Sequence, residues 1–200
     1  MGAVAPERFE PEARAYLEAS AGYLAQLCAG DAPSLAARAG AVLSEVVASG
    51  GTVLFCGNGG SAADAQHLAA ELVGRTDPRR ERGPMAGLAL TTDTSVLTAL
   101  ANDYSYDEVF ARQVRALGRP GDALVAISTS GRSANVLRAA SAARARGLRV
   151  IALVGPDPSE LDDLAEVCLH VPGDGPSQVQ QGHITVGHFL CSLPGIPLPD

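Results

Sequence analysis

Lysine and tryptophan are both absent from this 200-residue chain, so all 15 cationic side chains are arginines. Without lysine there can be no lysine Schiff base and no Walker-type phosphate loop. Aromatic residues make up only 4% of the sequence, which leaves alanine, leucine and valine to build the core. Positive charge is also in deficit: 22 acidic residues set a formal net charge of −7, which argues against general nucleic-acid binding. Arg79, Arg80 and Arg82 do cluster, but in a proline-flanked stretch that reads as a solvated loop. The four cysteines, Cys28, Cys56, Cys168 and Cys191, lack C-x-x-C spacing and read as buried free thiols in a reducing compartment. No stretch approaches the roughly 18 uninterrupted apolar residues of a membrane span, and residues 1–10 carry acids and prolines instead of a basic then apolar leader. The expectation is a cytoplasmic protein with no membrane partner.

What is present is 46% apolar content, enough for one sizeable core across 1–200. Residues 11–29 repeat Ala13, Tyr16, Leu17, Ala21, Leu24 and Leu27 at helical spacing, and a second helix spans 34–48. This hairpin, within 1–50, precedes any strand and is available for contact with a neighbouring subunit. From 51 to 193, uncharged runs at 52–56, 86–90, 124–127, 150–154 and 167–171 alternate with helical segments. Apolar strands separated by helices predict a parallel sheet covered on both faces, here a three-layer αβα sandwich of five strands. Ligands in such sheets collect at the carboxyl ends of the strands, where the polar loops 57–61 and 128–133 fall.

The first loop breaks a strand at Gly57, Gly59 and Gly60 and opens a helix at Ser61, an arrangement that can cradle an anion. Its G-x-G-x-x-A spacing also fits a dinucleotide fingerprint. The acidic residue that should follow is poorly placed: Asp77 falls in a loop and Asp93 comes too late. The second loop offers Ser128, Thr129, Ser130 and Ser133, four hydroxyls that can complement a phosphate monoester without lysine. Helix capping by Ser130 or Ser133 is the simpler alternative. On the helix after the first loop, His67 and Glu71 share a face four residues apart. The last helix adds Gln180, Gln181, His183 and His188. On an ideal helix His188 lies about 20° from Gln181, about 80° from Gln180 and about 140° from His183. Two helices each offering an imidazole and an oxygen ligand suit zinc or another divalent ion, with positions left for substrate.

These residues resemble the phosphoheptose isomerases of the sugar isomerase (SIS) superfamily. The likeness rests on C-G-N-G-G-S-A-A-D-A-Q-H-L-A-A-E-L-V-G-R at 56–75, Ala101-Asn-Asp103, I-S-T-S-G-R-S-A-N-V at 127–136, and the closing Q-Q-G-H-I-T-V-G-H. It covers nearly the whole chain. The resemblance implies a homotetrameric cytoplasmic enzyme with one Zn2+ per active site, turning sedoheptulose 7-phosphate into D-glycero-D-manno-heptose 7-phosphate through an enediol. Carried over by position, His67, Glu71, Gln180 and His188 hold zinc, with Glu71 and His188 moving protons. Ser128, Thr129, Ser130 and Ser133 bind phosphate, while Asn58, Gly59, Ser61, Arg75, Asp103 and Gln180 contact the sugar. The family position favours Gln180 and the helical wheel Gln181. Two departures stand out: Arg132 occupies a position that is usually small and polar, and Pro194, Pro197 and Pro199 cut the last helix short. A non-catalytic SIS protein that senses phosphosugars or binds a partner is the alternative reading.

Overall fold

A computed structural model describes residues 6–192 apart from 78 and 80, so Arg80 and the prolines at 194, 197 and 199 lie outside the described residues. Strands β1 (Val53–Gly57), β2 (Gly87–Ala89), β3 (Ala123–Ser128), β4 (Arg149–Val154) and β5 (Val167–His170) form one parallel sheet in the order β2-β1-β3-β4-β5. The helices are α1 (Glu10–Ala29), α2 (Ala32–Ala48), α3 (Gly60–Val73), α4 (Thr94–Asp103), α5 (Val109–Leu117), α6 (Ala134–Ala145), α7 (Leu161–Leu164) and α8 (Pro176–Cys191). Among the described residues this is the expected αβα sandwich behind a helical hairpin.

Side chains alternate across the sheet, and that alternation makes the three layers. Val53, Phe55, Val125, Ile127, Ile151 and Leu153 face a core shared with α2, α3 and α8. Leu54, Cys56, Leu124, Ala126, Val150 and Ala152 face α5 and α6 on the other side. Large side chains such as Leu54, Phe55 and Ile127 are fully buried, each stabilising the fold by about 1.5–3 kcal/mol.

The hairpin divides in two. α2 buries Ala39, Val42, Leu43 and Val46 and is part of the layer covering the sheet, whereas α1 buries only Tyr23 and Leu27. Much of the α1 stripe is left outside, with Tyr16 57% and Leu17 67% exposed.

Two expectations are corrected. Only Cys56 and Cys191 are buried, and burial pushes both thiols up to about 12, while Cys28 is exposed and Cys168 half-buried. All four are free. Arg82 is not a solvated loop residue. It is half-buried and donates to the carbonyls of Glu71 at 2.5 Å and Leu72 at 3.2 Å, satisfying acceptors that the end of α3 leaves open. Arg79, by contrast, is exposed and pairs with Asp77 at 3.0 Å.

The sequence returns from β1 to β2 on one side and crosses to β3 on the other. The crevice therefore opens between the carboxyl ends of β1 and β3, where Gly57 pairs with Ile127. Both polar loops flank it.

Candidate active site

The first loop is shaped by Gly59, whose φ of 55° favours glycine, and α3 starts immediately after it. Asn58, expected to line the sugar, spends its side chain on the neighbouring loop. It exchanges two 2.8 Å hydrogen bonds with the buried Asn135, and Tyr106 donates to its Oδ1 at 3.2 Å. Asn58 thus clamps the β1 loop to the first turn of α6. Ser61 is buried beneath Gly57, where an added Cβ would lie 2.8 Å from the serine Cβ.

The second loop is compact. Ser128 is buried and donates to Ser133 at 3.1 Å, while Ser130 accepts from the Arg132 backbone at 3.2 Å. Ser133 stands at the N-cap of α6 yet makes no side-chain cap bond, so helix capping does not account for these hydroxyls. The loop rests on the end of β4: an added Cβ at Gly155 would lie 2.2 Å from the Thr129 carbonyl oxygen. Gly131, with φ 64°, packs on Ser159, where an added Cβ would lie 2.5 Å from the serine Cβ.

Helices α3 and α8 approach through Gly187, where an added Cβ would fall 2.6 Å from Leu68 Cδ1. That close approach brings the next residue on α8 to the preceding residue on α3. His67 Nε2 and His188 Nε2 stand 2.8 Å apart with their rings edge to face, and His67 Nε2 lies 3.6 Å from Glu71 Oε1. Both imidazoles are exposed at one end of this contact, while Glu71 Oε2 is buried and lacks a partner among the described residues. Two ring nitrogens aimed at one point, beside a carboxylate with an unsatisfied oxygen, fit a divalent cation. The three ligand atoms all lie within 4.8 Å of one another.

Sequence reasoning missed Asp64, one turn before His67. Burial raises its carboxyl above the ordinary range, opposed by the nearby His67 and His188. The i,i+3 spacing was the available signal.

Other expected site residues make contacts of their own. Gln180 lies eight residues before His188 on the same helix, a rise of about 12 Å. Its amide covers Gly60 at the start of α3, where an added Cβ would be 2.6 Å from its Cδ, Nε2 and Oε1. Gln181 points to α1, donating to Tyr16 Oη at 3.4 Å. Arg75 pairs with Glu81 at 2.7 Å, and Asp103 accepts from Asn102 at 2.9 Å. His183 is fully buried and donates to the Val154 carbonyl at 3.1 Å, a structural pin between α8 and β4.

The SIS domain family matches residues 15–155. The phosphoheptose isomerase of Rhodospirillum rubrum is 54% identical over 185 residues, covering 92% of this chain and 96% of that protein. It belongs to the phosphoheptose isomerase family of SIS-domain proteins. The same family name attaches to an Aromatoleum aromaticum protein, 50% identical over 188 residues that cover 92% of this chain and 89% of its own. Among solved structures, phosphoheptose isomerase from Neisseria gonorrhoeae superimposes with TM-score 0.83 at 41% identity, and that from Francisella tularensis with 0.84 at 34%. Each comparison covers 92% of this chain and 96% of the other. Among the described residues no helix is long and apolar enough to cross a membrane.

Proposed function

We propose that this aldose–ketose isomerase converts sedoheptulose 7-phosphate into D-glycero-D-manno-heptose 7-phosphate, with one zinc ion in each active site. The observation that carries the reading is the convergence of His67, Glu71 and His188 from helices that lie 121 residues apart in sequence. Zinc, when bound, supplies Lewis-acid stabilisation of charge on the substrate oxygens.

The remaining work belongs to the side chains. Ser128, Thr129, Ser130 and Ser133 hold the phosphate, and Asn58, Gly59, Ser61, Arg75, Asp103 and Gln180 surround the sugar. The Glu71 carboxylate, whose Oε1 faces His67, is the base. It removes a proton from C1, the C1–C2 double bond forms and negative charge collects on O2. Return of a proton to C2 from His188, with the O1 proton passing to O2, leaves the aldehyde and the C2 hydroxyl. General acid–base steps of this kind contribute about 10²–10⁴-fold.

Gln180, whose amide lies against Gly60 at the start of α3, is the fourth zinc ligand of this reading. The reading takes 1–200 as a single SIS domain in a cytoplasmic homotetramer, and the exposed apolar side of α1, with Tyr16 and Leu17, supports one subunit contact. Incubation of zinc-replete protein with sedoheptulose 7-phosphate should give the aldose by NMR, and a chelator should abolish conversion. Binding of the phosphosugar without any conversion by zinc-replete protein would turn the reading to a non-catalytic sensor. Light scattering that shows a monomer would remove the homotetramer.

A further inference from the structure

A second group of ligating side chains lies at the carboxyl end of the edge strand. Cys168 and His170 are two residues apart on β5 and so project from the same side, facing Asp162 on α7. His170 Nε2 is 2.6 Å from Asp162 Oδ1 and 3.8 Å from Cys168 Sγ, and all three ligand atoms lie within 4.8 Å of one another. Each of the two polar ligands is also held from behind. His170 Nδ1 donates to the Gly155 carbonyl at 2.9 Å, and Asp162 Oδ2 accepts from the Ser159 backbone at 2.8 Å. Such outer contacts orient a histidine so that its other nitrogen faces a metal.

We propose that Asp162, Cys168 and His170 form a second divalent-metal site, which takes zinc or a similar borderline-soft ion. Tetrahedral zinc places sulfur and nitrogen ligands roughly 3.6 Å apart and nitrogen and oxygen roughly 3.3 Å apart. The Cys168–His170 spacing is already close to this, whereas the Asp162–His170 contact has to open by roughly 0.7 Å as the proton between them leaves. Thiolate, carboxylate and neutral imidazole balance the dication, leaving a water to complete the shell. The protons of the Cys168 thiol and of the His170–Asp162 bond pass to solvent. Burial and Asp162 push that thiol up to about 12, so the ion must displace its proton and binding strengthens as pH rises. The position gives the ion a structural task. Gly155 and Ser159, which orient the ligands, are the residues on which Thr129 and Gly131 of the hydroxyl loop rest.

The absence of cysteine from the His67–Glu71–His188 trio makes the two sites separable. The full chain exchanged into Co2+ should show a thiolate-to-cobalt charge-transfer band. The band should persist in His67→Ala and Cys191→Ala but vanish in Cys168→Ser. Metal analysis of zinc-replete protein should fall from two ions per chain to one in Cys168→Ser and in Asp162→Asn, while His67→Ala keeps this ion. Wild-type protein without the band at saturating cobalt, or a band that survives Cys168→Ser, overturns the site. In that case the Asp162–His170 hydrogen bond is only a strap between α7 and β5. A higher KM for the phosphosugar at unchanged kcat is expected of folded Cys168→Ser in excess zinc, and an unchanged KM overturns the bracing task.

Discussion

A single methyl group at Gly155 tests whether the 128–133 loop holds the substrate phosphate. The added Cβ would lie 2.2 Å from the Thr129 carbonyl oxygen, where ordinary contact begins at 3.4 Å, so the loop must retreat by about 1.2 Å. The obstacle is backbone and cannot swing aside like a side chain. Overpacking of this kind costs about 1–3 kcal/mol of stability. Moving binding groups by about 1 Å can cost about 10²-fold in kcat/KM. On the proposed reading the hydroxyls grip the phosphate, remote from C1 and C2, so the loss in Gly155→Ala should fall mainly on KM. Initial rates over a range of sedoheptulose 7-phosphate, beside a thermal melt, separate this effect from unfolding. Gly175→Ala is the matched control, since nothing lies within 4 Å of its added Cβ, and as a change at the N-cap of α8 it should cost no more than about 1 kcal/mol. A folded Gly155→Ala enzyme with wild-type KM and kcat would refute the assignment of the loop.

Three other outcomes are expected. Glu71→Gln should bind phosphosugar and fold normally while losing about 10²–10⁴-fold in kcat, and retained turnover in the metal-loaded variant would remove Glu71 as base. Gly187→Ala should push Leu68 away and part His67 from His188, at a cost of about 1–3 kcal/mol and with weakened metal binding by calorimetry. His183 is held neutral by burial, with its pKa lowered from 6.5 to about 4. Its unfolded form therefore binds the extra proton first: stability is fully present above pH 6.5 and is lost progressively as pH falls to about 4. The loss is on the order of 3 kcal/mol, and denaturant melts of wild type and His183→Gln should show that slope only in the wild type.

The fold was legible because its signals are local. Apolar runs such as 124–127, interrupted by helical segments and glycine breaks, specify buried parallel strands, and five of them leave few ways to arrange the layers. The pairing of His67 with Glu71 was equally legible from helical spacing alone. The hydroxyl loop was visible as a composition, although only the structure shows that Ser133 does not cap its helix. Charge clustering misled at Arg82, since spacing cannot reveal that a guanidinium folds back onto the carbonyls of α3.

Sequence by itself determined the αβα architecture, the two loops at the strand ends and the residue types able to serve a phosphosugar isomerase. Tertiary structure decided which of those residues meet. The contact of Gly187 with Leu68 sets the approach of α3 and α8, and only that approach turns two distant histidines into one site. It also placed Gln180 over Gly60 and gathered Asp162, Cys168 and His170 at one end of the edge strand. Helical and strand periods fix which face a side chain takes, whereas distances between elements depend on how closely their backbones pack.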